Sequence, residues 1–138
     1  MPLSRITLQA GKPEAYLQQV SDALHLALVE CFEVPAADRF QIIEELPTGR
    51  LICDPHYLAG GERSADGLVF QIIAGRERSD ACREAFFARL CSELQQRLGQ
   101  RPEDVMVIIT TNRGSEWSFS HGLSLPAMQA RQNRECVS

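Results

Sequence analysis

Apolar residues recur along this chain with two different periods, and the two periods follow each other in the same order twice. Residues 2–8 have the character of a strand, and residues 13–32 carry apolar side chains three and four positions apart, which predicts an amphipathic helix. The helical pattern breaks at Val34-Pro35, and residues 38–43 predict a second strand. The first 45 residues therefore predict a β-α-β unit.

The second unit begins about 66 residues further along the chain. Residues 67–73 form a largely apolar run that is typical of a buried strand. Ser79 suits the cap before a helix over residues 80–98, and Gly99 suits the position after its last turn. Residues 105–109 then predict a second buried strand.

The two units, about 1–45 and 67–110, predict the fold. Pro35-Ala36-Ala37-Asp38 and Pro102-Glu103-Asp104 occupy matching places before the last strand of each unit. Because a β-α-β crossover makes its strands parallel and is nearly always right-handed, we expect both helices on one face. The predicted fold class is α+β, an α/β sandwich with a four-stranded sheet and two helices. Its other face is too apolar to lie in water, which favours oligomerisation.

Two segments lie outside the units. Residues 44–66 contain several Pro and Gly and predict a short hairpin, or a strand followed by a mobile loop. The chain from Gly122 onwards is polar, and we expect it to be disordered or laid on a neighbouring subunit. The predicted organisation is a single domain over residues 1–122 with a C-terminal tail over 123–138.

Composition excludes several classes of function. A chain of 138 residues predicts one domain, and a net charge of −4 carries no basic footprint for nucleic acid. Apolar runs are shorter than the ~20 residues of a membrane span, and no secretory signal opens the chain. Five cysteines without a C-x-x-C pair predict a reduced, cytoplasmic protein. Because no metal cluster, phosphate loop or nucleotide fingerprint is visible, we expect no cofactor.

Pro2 is the first candidate for chemistry. Methionine aminopeptidase removes an initiator Met before a small residue, and this cleavage would leave Pro2 with a free secondary amine at the start of a strand. An α-amino group ordinarily titrates at about 7.7–8.0, so the pKa of this amine would suit acid or base chemistry near neutrality. A secondary amine also forms a cationic iminium with a carbonyl. The alternative is a Met-Pro start without chemical meaning.

Four further residues are candidates for a site. Arg76 and Arg78 directly follow a buried strand, where two guanidiniums could converge on one carboxylate, although a solvated charged turn has the same pattern. Asp38 lies at the start of a strand, as a turn residue or as a functional carboxylate. Trp117, the single Trp, is either a core residue or a pocket wall.

Taken together, these features resemble the tautomerase superfamily, and more narrowly its malonate semialdehyde decarboxylase branch. The resemblance runs from Pro2 to about Gly122. It rests on a strand that opens at Pro2, on the duplicated β-α-β unit, and on a set of short motifs. These motifs are Asp22-Ala23-x-His25, Phe32-Glu33-Val34-Pro35-Ala36, Asp38-Arg39-Phe40-Gln41-Ile42, Arg76-x-Arg78 and Glu116-Trp117-Ser118-Phe119.

The resemblance implies a cofactor-free, homotrimeric enzyme with its sheets facing inward. It implies that Pro2 is catalytic, that Arg76 and Arg78 bind the substrate carboxylate, and that Asp38 assists Pro2 or positions water. Trp117 and Phe119 would line an apolar wall. The implied substrate is a small carboxylate-bearing 3-oxo acid: malonate semialdehyde would give acetaldehyde and CO₂, with promiscuous tautomerase or hydratase activity.

Two departures from the branch leave the substrate open. This chain has Ser120-His121 where the decarboxylases have Gly-Phe, and its 53–66 loop is about two residues longer. The alternatives are a keto–enol tautomerase of 2-oxo acids of the phenylpyruvate type, a hydratase of unsaturated three-carbon acids, and a non-catalytic trimeric binding protein. We expect His121 to be an exposed tail residue and His25 a hydrogen-bonded structural one.

Overall fold

Two β-α-β units form the body of the protein, as the periodicity predicts. The computed structural model describes residues 1–137. Within them, one four-stranded sheet contains two parallel pairs, each joined through a helix. The first unit consists of β1 (Pro2–Gln9), α1 (Glu14–Cys31) and β2 (Phe40–Leu46), and the second of β3 (Leu68–Ala74), α2 (Asp80–Leu98) and β4 (Val105–Thr111).

The strand order β2-β1-β3-β4 positions the functional end of the molecule. The central strands β1 and β3 are antiparallel, and Pro2 lies opposite Ala74. The start of β1 therefore meets the end of β3. Because β2 is parallel to β1 and β4 is parallel to β3, the start of β2 and the end of β4 lie at the same end of the sheet.

Helices α1 and α2 cover one face of the sheet and enclose the core. The side chains of Ile6, Leu24, Phe70 and Phe86 are fully buried there, and each such side chain contributes about 1.5–3 kcal/mol through burial. Both predicted signals of α2 are confirmed. Ser79 Oγ accepts a hydrogen bond from the Cys82 amide at 3.1 Å, and Gly99 adopts a left-handed conformation with φ of 65°.

The other face of the sheet has no helix over it among the described residues. Five large apolar side chains on this open face are 39–46% exposed, namely Phe40, Ile42, Ile73, Met106 and Ile108. Their exposure confirms the prediction that the single chain leaves an apolar sheet face uncovered.

The segment after β1 and α1 differs from the prediction in two respects. The second strand runs over Phe40–Leu46 rather than 38–43. It begins later because the Asp38 amide donates a hydrogen bond to the Pro35 carbonyl at 3.0 Å and so belongs to a turn. It ends later because its pairing with β1 continues as far as Leu46. Residues 47–67 contain no strand or helix in the described chain, so the hairpin predicted within residues 44–66 is wrong, whereas the alternative of a strand followed by a loop agrees with β2 ending at Leu46. Side chains fasten this loop instead: Asp54 accepts hydrogen bonds from the amides of His56 and Tyr57 at 2.9 and 2.7 Å.

The C-terminal segment is helical instead of disordered. Helix α3 spans Leu125–Val137, and Ser124 Oγ accepts a hydrogen bond from the Ala127 amide at 3.3 Å in its first turn. Helix α3 buries none of its described residues and is mostly polar, a composition that is equally typical of a disordered tail. Ser138 lies outside the described residues, and the docking of this segment on a neighbouring subunit stays a prediction. No helix within residues 1–137 combines the length and the apolarity required to cross a membrane.

Candidate active site

The candidate site lies at the end of the sheet where β1 begins and β3 ends. Pro2 is buried and pairs with Ala74, and Asp38 lies two residues before β2. Arg76 follows β3 by two residues, and Trp117 follows the 3-10 turn after β4. Residues far apart in sequence are therefore brought to one end of the sheet by its strand order.

An amine and a carboxylate are paired at the centre of this site. The amine of Met1 lies 2.5 Å from Oδ2 of Asp38. Three covalent bonds separate this amine from the nitrogen of Pro2, so the Pro2 nitrogen lies within about 6 Å of the same oxygen. The other carboxylate oxygen of Asp38 is buried and has no hydrogen-bond partner among residues 1–137. It is available to a further donor, such as an ammonium group or a water molecule.

Gly75 allows Met1 to lie close to the backbone that follows β3. The Gly75 amide donates a hydrogen bond to the Met1 carbonyl at 2.9 Å. A Cβ at position 75 would lie 2.6 Å from Cε of Met1 and 3.0 Å from Nε1 of Trp117, so a larger residue would force one of them aside. The Met1 side chain thus fills a space between Gly75 and Trp117. In a chain that begins at Pro2, this space borders the amine.

Arg78 is a buried and immobilised cation. Only 7% of the residue is exposed. Its Nε donates to the Phe32 carbonyl at 2.9 Å, its Nη1 donates to the Arg76 carbonyl at 3.0 Å, and the guanidinium lies 4.2 Å from the centre of the Phe32 ring. Burial, and next the positive charge of Arg76, lower the pKa of Arg78. Among the described residues no carboxylate forms an ion pair with it, so its charge acts on the surrounding site.

Arg76 is exposed and already holds a carboxylate. Its Nη2 lies 2.6 Å from Oε2 of Glu33, and the hydrogen bond from Arg76 lowers the pKa of Glu33. The two arginines are close in space. The positive charge of Arg76 lowers the pKa of Arg78, and the Arg78 guanidinium donates a hydrogen bond to the Arg76 carbonyl. Their joint grip on one substrate carboxylate stays a prediction.

Three aromatic rings form an apolar wall beside the amine. Trp117 stacks on Phe119 with ring centres 5.4 Å apart, and Phe119 lies 5.4 Å from Phe40. The indole Nε1 donates to Oδ1 of Asn112 at 2.6 Å, which fixes the plane of the ring. The Leu125 amide donates to the Trp117 carbonyl at 2.8 Å and ties the start of α3 to this wall. A pocket of about 500 Å³ adjoins Gly75 and Asn112, and its lining includes Arg76 but none of the three rings.

Sequence reasoning assigned no role in the site to four residues: Glu33 and Phe40, which it quoted only within motifs, and Gly75 and Asn112. Phe40 is an ordinary strand residue, and an acid such as Glu33 after a helix end is usually solvated. Gly75 and Asn112 carry a signal only once the ends of β3 and β4 are known to adjoin Met1 and Trp117. No group of His, Cys, Asp or Glu side chains in the described chain is placed to hold a metal ion.

His25 and His121 behave as expected. Nε2 of His25 lies 2.8 Å from the Ala36 carbonyl oxygen, a hydrogen bond that joins α1 to the turn before β2. His121 is exposed, and its Nδ1 lies 3.0 Å from the hydroxyl of Ser120. Neither contact brings a histidine to the amine.

A duplicated β-α-β sheet with an amine and a carboxylate at one end defines a class of small α+β enzymes, and comparison with known proteins identifies the family. Two family models, both described as tautomerase enzyme, match residues 38–120 and 2–66. The chain is 30% identical over 122 residues to "Probable tautomerase YusQ" of Bacillus subtilis (strain 168), an alignment that covers 88% of this chain and 95% of that protein. The chain therefore belongs to the tautomerase family.

Solved structures place the chain within this superfamily. Malonate semialdehyde decarboxylase, studied for decarboxylase and hydratase activities, superposes with a TM-score of 0.84 at 29% identity, covering 94% of this chain and 98% of that one. A fused 4-OT, solved as an asymmetric trimer, superposes with a TM-score of 0.73 at 20% identity, covering 92% and 98%, and supports the fold alone. This protein is a tautomerase-superfamily enzyme of the branch that resembles malonate semialdehyde decarboxylase.

Proposed function

We propose that this enzyme decarboxylates a small 3-oxo acid, with malonate semialdehyde (3-oxopropanoate) as the first candidate. The observation that carries the proposal is the amine of Met1, 2.5 Å from Asp38, at the sheet end that also contains Arg76, Arg78 and Trp117. Removal of Met1 transfers the amine to Pro2, which stays within reach of Asp38. The similarity to malonate semialdehyde decarboxylase supports the same reaction.

The reaction needs an acceptor for the electron pair of the breaking bond. The bond between the carboxylate carbon and C2 breaks, CO₂ leaves, and the electron pair moves toward the aldehyde carbon. A protonated Pro2 that donates to the aldehyde oxygen, or an iminium between Pro2 and that carbon, stabilises the resulting enol or enamine. Protonation at C2 then gives acetaldehyde, and hydrolysis releases it where an iminium has formed. The net change consumes one 3-oxopropanoate and one proton.

The surrounding side chains have separate roles in this proposal. Asp38 holds the ammonium form of Pro2 by its charge and accepts a hydrogen bond through its unpartnered oxygen. Arg76 and Arg78 bind and orient the substrate carboxylate. The wall of Trp117 and Phe119 faces the carboxylate with apolar surface and favours its conversion to neutral CO₂.

A proton NMR time course of 3-oxopropanoate tests the proposal. The protein begins at Pro2, as verified by intact mass, and the same chain with Met1 retained is the matched control. Acetaldehyde should appear with the first protein and far more slowly with the second, whose Pro2 nitrogen is an amide. Equal rates for both proteins, or no acetaldehyde from either, would overturn the proposal.

Three variants of the Pro2 protein assign the roles. Pro2→Ala should reduce turnover severely, because a primary amine differs in basicity and in iminium formation. Arg76→Ala and Arg78→Ala should each lower kcat/KM, and Arg78→Ala should also lower stability since its guanidinium is buried. Borohydride added during turnover separates the two mechanisms: only an iminium yields an N-alkyl adduct at Pro2, detected by intact mass.

A second candidate function is keto–enol tautomerisation of a 2-oxo acid of the phenylpyruvate type. The stacked rings of Phe40, Trp117 and Phe119 favour it, because they offer a surface to an aryl side chain. YusQ, a probable tautomerase by name, also supports it. An ultraviolet assay of phenylpyruvate ketonisation decides between the two: a much higher kcat/KM than for 3-oxopropanoate would make tautomerisation the principal activity.

We also propose that the enzyme assembles as a homotrimer through its open sheet face. The exposed apolar residues of this face support the proposal, because a patch of this kind is rarely left in water. Ile108→Glu, on the open face of the edge strand β4, should shift the mass measured by light scattering to that of one chain, and Glu45→Gln on the opposite edge strand β2 should not. A wild-type mass of one chain would contradict the trimer.

A further inference from the structure

Glu33 occupies a backbone position that favours glycine. It follows Phe32, the cap residue of α1, with φ of 57°, and the Val34 amide closes the helix onto the Leu28 carbonyl at 3.2 Å. The end of α2 is built in the same way, with Gly99 at φ of 65° in the matching place. A side chain with a Cβ is disfavoured in this conformation. A glutamate here therefore needs an explanation in its side chain.

The carboxylate of Glu33 contacts the cation that the proposed function assigns to the substrate. Its Oε2 lies 2.6 Å from Nη2 of Arg76, and both side chains are more than half exposed. Arg78, in contrast, is buried and fixed by two backbone carbonyls. Arg76 is therefore the guanidinium that can exchange one carboxylate for another, and Glu33 is the carboxylate that it holds in the free protein.

We propose that Glu33 is a specificity-determining residue, which competes with the substrate for Arg76 and selects acids with one negative charge over dicarboxylates. The inference rests on the proposed carboxylate-binding role of Arg76. The guanidiniums of Arg76 and Arg78 and the N-terminal ammonium are cations, whereas the carboxylates of Asp38 and Glu33 are the two anions that face them, so a ligand with one negative charge neutralises the site. A monocarboxylate displaces Glu33 and takes its place, whereas a second carboxylate on the ligand meets the displaced Glu33 and is repelled.

Binding of two unreactive anions of similar size tests the proposal without turnover. Ligand-observed NMR titrations give Kd for 3-hydroxypropanoate, a monoanion, and for malonate, a dianion. Glu33→Gln removes the charge and keeps the disfavoured φ, and Glu33→Gly removes both. The matched control is Glu30→Gln, which removes a carboxylate that pairs with Arg89 at 2.6 Å one turn earlier on α1.

Both Glu33 variants should bind 3-hydroxypropanoate about two- to fivefold more tightly, the size expected for competition by one exposed ion pair. Malonate should gain more, about tenfold, because repulsion is lost as well as competition. The ratio of the two Kd values should therefore change equally in Glu33→Gln and Glu33→Gly and stay constant in Glu30→Gln. The change should diminish in high salt.

Kinetics provide a second readout. For 3-oxopropanoate, Glu33→Gln should lower KM and leave kcat nearly unchanged, since the competition ends once the substrate is bound. An unchanged Kd ratio in both Glu33 variants, or a lack of binding by either anion to every variant, would overturn the inference. If no protein turns over any oxo acid but the Kd ratio still shifts, the proposed reaction fails and the role of Glu33 stands.

Discussion

Replacing Asp38 with Asn in the protein that begins at Pro2 should change the form of the amine. The substitution keeps the shape of the side chain and removes its negative charge. Because a negative charge favours the ammonium over the neutral amine, Asp38→Asn should lower the pKa of Pro2. The sign follows from the direction of attraction and does not depend on the reaction that the amine performs.

The structure sets the size of this effect. The Pro2 nitrogen lies within about 6 Å of Oδ2 of Asp38, and two unit charges at that distance interact by about 0.7 kcal/mol in water and about 2.8 kcal/mol at an effective dielectric of 20. These energies correspond to a fall in the pKa of Pro2 by about 0.5 to 2. The Asp38 side chain is only 15% exposed, which favours the upper part of this range.

A pH–rate profile of kcat/KM measures the shift and also identifies the active form of Pro2. If the ammonium form is active, as in the proposed decarboxylation, activity falls as pH rises through the pKa of Pro2, and Asp38→Asn moves this basic limb to lower pH. If the neutral amine acts as a base, as in tautomerisation, the acidic limb moves to lower pH instead. Asp66→Asn is the control, since Asp66 pairs with Lys12 at the other end of the sheet. A folded Asp38→Asn protein whose profile coincides with that of the wild type would refute the reasoning.

Three further substitutions test the packing. In the protein that begins at Pro2, Gly75→Ala places a methyl group 3.0 Å from Nε1 of Trp117. This substitution should lower kcat/KM about tenfold or more and leave the melting temperature almost unchanged. Normal activity would show that the reaction does not use this space. Phe86→Ala empties a fully buried position and should lower the free energy of unfolding by about 3–5 kcal/mol in urea, and a loss below 1 kcal/mol would contradict the assigned core. Asp104→Asn removes one charged hydrogen bond from Ser64 and should cost about 1.5–3 kcal/mol without moving the pH–rate profile; a moved profile would place Asp104 in the site.

The fold was largely predictable because its buried residues follow the periods of their elements. The helical stripes and the apolar strands identified both β-α-β units, and the uncovered face followed from the placement of both helices on the other side. The pairing of β1 with β3 was not predictable, since it depends on contacts between units rather than within them. The hairpin predicted within residues 44–66 is wrong because Pro and Gly mark turns but do not supply pairing strands. Helix α3 is mostly polar and buries none of its described residues, so its composition does not distinguish it from a polar tail.

The site was predictable where a residue type is unusual for its position and not where it is ordinary. Pro2, a possible secondary amine, and the pair Arg76 and Arg78 after a buried strand drew attention by their chemistry. Glu33 did not, since an acid after a helix end is ordinary until its φ of 57° and its contact with Arg76 are known. The positions of partners across the sheet end are tertiary information that one sequence does not contain.

The duplication also explains why each chain should support one site of this kind. Asp104 occupies in the second unit the place of Asp38 in the first, at the opposite end of the sheet. Ser64 meets both oxygens of Asp104, donating from its amide at 2.7 Å and from its hydroxyl at 2.6 Å. Asp38 instead pairs one oxygen with an amine and leaves the other without a partner among residues 1–137. The corresponding carboxylates therefore have different partners: Asp104 fastens a loop, whereas Asp38 faces an amine. The reason is that β1 begins at the chain terminus, whereas β3 follows a loop and its first nitrogen is an amide.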